Sequence, residues 1–337
     1  MFKDGLIYQE SRMSTEEEFR EDLAPLDIYD ENADGQGGPG LAYEDGIAYT
    51  DPGEGHSMIV GDTGSGKTQK FILPLINSCA CASESMFVID PKGELMRRTE
   101  WDLKQRGYRV YGVNFRKPEL SKDRWNPLGR IEYMYAHNEE KAAQVLQNDL
   151  IQRLFNARST ADKDKFWNES AGNLAEGSLE LSHILGERLT IKNMLKWRYE
   201  RIPDGTMEAC FHKLPRDGVA YHKLAGFFGL TAENTKTCIL STYDQLVTLF
   251  NSSDALTDML SESSFELETA ATEKTAIFVI VPDEKTTYHF MATLFTNQLY
   301  EALINIAEDY NGRLPVRMNF IMEEFCNMPK LGEIGPM

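Results

Sequence analysis

Residues 56–68 read HSMIVGDTGSGKT, and this stretch decides the fold. The apolar run His56–Val60 predicts a short strand, and Gly61–Thr68 fits the phosphate-loop pattern G-x-x-x-x-G-K-[ST]. A helix is expected from about Gly66 to Ala80, kinked at Pro74, which has no backbone N–H to donate. In such a loop the backbone of Gly61, Thr63, Gly64, Ser65 and Gly66 curls round phosphate oxygens. Lys67 reaches the β and γ phosphates, and Thr68 offers its hydroxyl to Mg²⁺. The helix N-terminus adds partial positive charge at the same place. The expected ligands are ATP and Mg²⁺.

Outward from the loop, the hydrophobic pattern alternates between strand and helix. Strands are expected at Met86–Ile89 and Tyr108–Val113, with a helix at Glu94–Arg106 between them, the rhythm of parallel βαβ packing. Helical spacing follows in Lys141–Phe155 (Val145, Leu146, Leu150, Leu154) and Phe166–Leu185 (Leu174, Leu181, Leu185), and residues 189–250 stay helix-rich. The α/β pattern then resumes with strand Ala276–Val281, helix Tyr288–Ala307 and strand Arg317–Met322. The reading is an α/β domain interrupted by an all-helical insertion. Residues 1–55 read as a poorly packed leader, with a short helix from Glu16 to Leu23 capped by Ser14 and a loop over 27–40. Ordered structure is expected to begin near Ile47.

The net charge is −18, from 35 basic and 53 acidic residues among 337. Taken whole, that opposes a simple nucleic-acid-coating protein. The distribution qualifies it: residues 1–60 hold 15 acidic against 3 basic residues, whereas 91–130 hold 11 basic against 5 acidic. No apolar run approaches the roughly 18 residues of a membrane span, and the longest, Phe71–Ala82, contains Pro74, Asn77 and Ser78. The five cysteines (Cys79, Cys81, Cys210, Cys238, Cys326) show no C-x-x-C spacing, so reduced thiols are expected rather than a zinc site.

A phosphate loop needs an acidic partner at a neighbouring strand end, to hold Mg²⁺ and polarise water. Two pairs qualify by position: Asp283-Glu284 after AIFVIVP, and Glu323-Glu324 after NFIM. Spacing does not separate them. Asp90, in DPKGE, is a third acid at a strand terminus.

The ordered set GDTGSGKT (61–68), FVIDPKGEL (87–95), WNPL (125–128), FWNESA (166–171), AIFVIVPDEK (276–285) and NFIMEEFCNMPKLG (319–332) resembles the coupling ATPases of type IV secretion and conjugation, the TraG-like family. The resemblance implies a RecA-like P-loop NTPase domain with an inserted all-helical domain. The segments are a leader at 1–46, partly disordered, a first RecA-like part at 47–185, the helical insertion at 186–245, and a second RecA-like part at 246–337. It implies a hexameric ring at the cytoplasmic face of a bacterial inner membrane, contacting secretion-channel proteins and passing relaxase–DNA or protein substrates to them with ATP. The family's acidic pair falls on Glu323 and Glu324, which makes Glu323 the Mg²⁺-associated acid and Glu324 the residue that orients water, with Lys67 on the phosphates.

This sequence departs from the family pattern in three ways. Glu323 stands where the family has Asp, and Mg²⁺ demands near-ideal octahedral geometry. Family members begin with spanning helices, and they continue well beyond the acidic pair, so the resemblance implies a truncated member. A RecA-like sheet gains a central strand after that pair, and few residues remain to supply it. Two alternatives follow: a non-hydrolysing nucleotide-binding adaptor, or an unrelated P-loop NTPase. Other features read more plainly. The basic belt of 91–130 reads as a solvated surface before a DNA contact, and Lys192, Lys196, Trp197, Arg198, Tyr199 and Arg201 as an amphipathic helix surface before a docking patch. Trp125–Leu128 reads as a packing turn, and the helix holding Phe166, Trp167 and Ala171 as core.

Overall fold

The computed structural model describes residues 15–30, 36–51, 53–62, 64–156, 165–248, 250, 253–282 and 286–324. The chain divides into two compact units. The described residues of the first lie within Met1–Tyr111, Leu267–Val279 and Gln298–Cys326, and those of the second within Gly112–Glu266 and Ile280–Asn297.

The first unit opens with helix α1 (Glu16–Glu21), whose N-cap is Thr15 in a reciprocal capping box with Glu18; the expected cap, Ser14, lies outside the described residues. Strands β1 (Ala24–Asp27), β2 (Gly40–Glu44) and β3 (Ile47–Thr50) follow, forming an antiparallel sheet in the order β1-β3-β2. All three lie in the stretch that reads as a poorly packed leader, and β1 and β2 precede Ile47, where ordered structure is expected to begin. What the acidic composition conceals is a small apolar set: Leu26 and Ala48 are buried against Cys81. Thr50, also buried, donates its hydroxyl to Ala24 O and Gln36 O.

The larger sheet has the order β5-β6-β4-β7, from β4 (Ser85–Ile89), β5 (Arg109–Asn114), β6 (Thr275–Ile280) and β7 (Met318–Met322). β4 pairs in parallel with both β6 and β7. Every residue of β4 and β6 is buried, as expected of continuous apolar runs in a parallel sheet covered on both faces. All four strands match sequence expectations within a residue or two. The expected strand His56–Val60 does not form. Residues 53–62 are exposed along their length, with Met58 80% and Val60 82% accessible. Apolar residues specify a strand only when a ladder and a packing face receive them, and 56–60 pair with no strand of this sheet, in which β7 is outermost among the described residues.

Helix α2 (Leu73–Cys81) is entered through a π-helical turn, Thr68–Ile72. Pro74 cannot donate to Lys70, and the chain widens just before it: Leu73 N–H donates to Thr68 O, five residues back. The Tyr108 hydroxyl donates to Glu84 O at 2.7 Å, just ahead of β4, and lies 3.2 Å from Cys79 O of α2. Helix α3 (Glu94–Gln105) links β4 to β5.

In the second unit the helices are α4 (Gly129–Ala136), α5 (Glu140–Asn156), α6 (Lys165–Ile184), α7 (Ile191–Lys196), α8 (Thr206–Phe211), α9 (Val219–Phe228), α10 (Glu233–Val247) and α11 (Asp254–Met259). α6 is the pillar, with an almost unbroken buried run from Ala171 to Ser182. At Gly177 a side chain would collide with Leu224 of α9, so glycine is what permits that close crossing. The turn Trp125–Leu128 is buried as expected: Trp125 lies against Phe115 and Phe295, and Asn126 donates to Leu189 O and accepts from Leu128 N. Three apolar residues counted toward helix cores face outward instead, Val145 (72% accessible), Phe166 (55%) and Leu185 (51%). α12 (Thr269–Thr272) and the long α13 (Thr286–Asp309) complete the elements. No helix among the described residues is long and apolar enough to cross a membrane.

Candidate functional site

The site assembles in the first unit where the phosphate loop meets the end of β7. Gly64 and Gly66 hold φ of +80° and +88°, a backbone region that side chains disfavour. Lys67 folds over its own loop, its ammonium donating to Gly61 O at 2.5 Å and Asp62 O at 3.2 Å. Ser65 N–H closes the turn on Asp62 O. A polypeptide that curls round a lysine in this way presents amide donors and one cation to the same small volume, the requirement of a phosphate cradle. Thr63 lies outside the described residues.

Thr68, the first residue of the π-turn, donates its hydroxyl to Glu323 Oε1 at 2.6 Å. These residues are 255 positions apart, and β7 delivers the carboxylate one step past its last strand residue. Burial pushes the Glu323 carboxyl above the usual carboxylate range, the Thr68 hydrogen bond pulls it down, Asp90 raises it and Lys92 lowers it. Glu324 is exposed and has φ of +56°, a conformation that non-glycine residues rarely adopt. The structure therefore brings Lys67, Thr68, Glu323 and Glu324 to one end of one sheet. The competing pair, Asp283-Glu284, lies outside the described residues.

Asp90 serves another purpose. It is fully buried, and its carboxylate accepts the backbone N–H groups of Glu94 (3.0 Å) and Met96 (2.9 Å), the first turn of α3. Burial raises its pKa while those amide donors oppose the rise. In DPKGE, then, the acid caps a helix that Gly93, at φ +65°, opens. Sequence reading missed Lys92 as an electrostatic neighbour of Glu323; its signal is that both follow the C-terminal ends of adjacent parallel strands, where loops converge.

The other sequence candidates carry internal partners. In the basic belt Arg98 pairs with Glu94, Lys104 with Glu100, Arg109 with Glu273 and Arg124 with Glu262, which makes it a mixed-charge surface. In the second unit Lys192 pairs with Asp258, Arg198 with Asp244 and Arg201 with Glu187. Trp197 is buried, with Arg201 stacked 4.2 Å above its ring, so this stretch is an amphipathic helix surface. No cluster of three or more His, Cys, Asp or Glu side chains suited to a metal occurs among the described residues. Cys79 and Cys81 are free and buried.

The family model for type IV secretory system conjugative DNA transfer matches residues 9–335. The chain belongs to this family. Among solved structures it is similar to the bacterial conjugative coupling protein TrwB lacking 70 N-terminal residues, in its unbound monoclinic form: TM-score 0.50, 12% identity, 80% of this chain and 55% of that chain covered. TrwB with ADP and Mg²⁺ (TM-score 0.48) and with a non-hydrolysable ATP analogue (TM-score 0.46) also match, each at 12% identity over 80% of this chain and 57% of theirs. The chain thus spans little more than half the length of these structures. No match was found among curated protein sequences. The fold is α/β, a parallel sheet with surrounding helices similar to that of TrwB, as the motif order implies.

Proposed function

We propose that this chain is the nucleotide-binding motor part of a conjugative coupling protein, binding ATP with Mg²⁺ through Gly61–Thr68 and Glu323. The observation that carries the reading is the 2.6 Å hydrogen bond between Thr68 and Glu323. It joins the hydroxyl that the loop motif reserves for Mg²⁺ to the single carboxylate expected beside it. Mg²⁺ keeps several of its waters and is usually held by one or two carboxylates plus phosphate oxygens, so a hydroxyl with one carboxylate fits it. When bound, Mg²⁺ would neutralise charge on the phosphates. Lys67 would exchange the carbonyls of Gly61 and Asp62 for phosphate oxygens, and Glu324 would orient water.

Family membership supports the wider reading: a hexameric ring at the inner membrane that recruits relaxase–DNA or protein substrates and hands them to channel proteins. TrwB was crystallised with ADP and Mg²⁺ and with an ATP analogue, which supports the same ligands here. The organisation that goes with it is a RecA-like domain in two stretches, 47–185 and 246–337, flanking a helical insertion at 186–245, with residues 1–46 ahead of it.

A second reading, a nucleotide-binding adaptor without turnover, is favoured by Glu323 in place of the family's aspartate. Mg²⁺-dependent ATP hydrolysis, with and without single-stranded DNA, separates the two. The motor reading predicts turnover that Lys67→Ala abolishes; turnover no higher than the Lys67→Ala background, with ATP still bound, overturns it in favour of the adaptor.

A further inference from the structure

The turn that follows β4, Asp90-Pro91-Lys92-Gly93, is built to hold one side chain in place. Asp90 N–H donates to Val279 O of β6, and Gly93 N–H closes the turn on Asp90 O at 3.2 Å. Pro91 pre-sets the backbone at the second position of the turn, and both Asp90 carboxylate oxygens are engaged by the first amides of α3. Asp90, Pro91 and Gly93 are buried, and Lys92 alone of the four is exposed.

Sheet register sets this turn beside Glu323. Ile89 of β4 lies opposite Met322 of β7, so Lys92 and Glu323 follow neighbouring parallel strands at the same end, where strands run roughly 4.8 Å apart. Lys92 makes no hydrogen bond or ion pair with a described residue, yet it is near enough to lower the pKa of the Glu323 carboxyl. An ammonium that neighbours a carboxylate without being joined to it is available to another acceptor. The nearby cations are placed differently. Lys67 folds over Gly61 and Asp62, Lys70 runs along Gly66, and Arg97 donates its Nε to Gly93 O.

The phosphate loop cradles the β-phosphate and Mg²⁺ bridges β- and γ-oxygens, so the terminal phosphate belongs to the strand-end side of the metal. On that side Glu323 and Glu324 add two carboxylates, which oppose a phosphate unless a cation offsets them. In the turns that follow β4 and β7, Lys92 is the one cation among the described residues. We propose that Lys92 is a further phosphate-binding residue of this site, its ammonium taking a γ-phosphate oxygen and so distinguishing ATP from ADP. The proposal rests on the nucleotide reading of Gly61–Thr68 and deepens it: Lys67 holds the phosphate chain of either nucleotide, and Lys92 reads its end.

The test is equilibrium binding of ADP and of a non-hydrolysable ATP analogue, each with Mg²⁺, to the full chain by isothermal titration calorimetry. Lys92→Met keeps the aliphatic stem and removes the charge at an exposed position. It should weaken analogue binding about 5–20-fold, the loss of one charge-assisted hydrogen bond partly screened by solvent, and ADP binding by less than about 2-fold, so that ADP also reports an intact fold. A charge that acts only as a distant field would weaken both nucleotides to a similar degree. A loss for ADP that equals or exceeds the loss for the analogue therefore overturns the proposal, as does no loss for either when Lys67→Ala weakens both; the nucleotide reading survives in each case. A wild-type chain that binds neither nucleotide overturns that reading and the proposal with it.

Discussion

Replacing Thr68 by valine removes one hydroxyl and almost no volume. In the structure that hydroxyl donates to Glu323 at 2.6 Å. A hydrogen bond to a charged acceptor contributes roughly 1.5–3 kcal/mol. Glu323 is only half-buried and recovers some hydration, so about 1–2 kcal/mol is the expected loss. For a chain of this size that corresponds to a fall in Tm of about 1–3 °C. Thr68→Ser keeps the donor and should retain most of the stability. The same valine should raise the Mg²⁺ concentration needed for half-maximal ADP binding at least ~10-fold, because both lost functions reside in one oxygen atom. Thermal unfolding of Thr68→Val, Glu323→Gln and the double variant, with Mg²⁺ titrations of labelled ADP, reads both effects. If the two substitutions add within about 0.3 kcal/mol and Mg²⁺ dependence is unchanged, the two side chains do not act together and the site is wrongly assembled.

Gly177→Ala sets a methyl group against Leu224 where α6 crosses α9; destabilisation of about 1–3 kcal/mol is expected, read by urea unfolding, with partial rescue by Leu224→Ala. The pH dependence has a definite sign. Burial raises the pKa of Glu323 and Asp90 in the folded chain, so between the ordinary carboxylate value and the raised one the folded state binds more protons than the unfolded state. Their stabilising contribution is complete below the ordinary value and is lost as pH rises through the raised one. Glu323→Gln should therefore flatten the decline in Tm from about pH 4.5 upward, and a slope identical to wild type contradicts the assignment.

Most of the fold was legible because parallel strands buried on both faces announce themselves as continuous apolar runs: MFVI, AIFVI and NFIM each became a strand. The same logic misplaced His56–Val60, since an apolar run reports the capacity for burial and not the presence of a partner strand. The leader misled in the opposite direction. There acidic residues outnumber the few apolar ones, yet Leu26 and Ala48 suffice to seat a sheet on Cys81. The loop half of the site was readable from eight residues, because its chemistry depends on local backbone and adjacent side chains. The acidic half was not readable from spacing, and only the resemblance assigned it to Glu323 and Glu324, because Thr68 and Glu323 meet through sheet order, which spacing does not encode. Asp90 looked as eligible as Glu323 at a strand end, and only its two bonds to α3 amides show that its oxygens are already engaged.

Equilibrium binding of a fluorescent ATP analogue to the full chain, with and without Mg²⁺, tests the central claim most directly. The account predicts Mg²⁺-strengthened binding in wild type, binding weakened at least ~10-fold by Lys67→Ala through loss of a charge-assisted phosphate contact, and loss of the Mg²⁺ effect alone in Glu323→Gln. Equal affinity in wild type and Lys67→Ala, or a Mg²⁺ effect that survives Glu323→Gln unchanged, would contradict it.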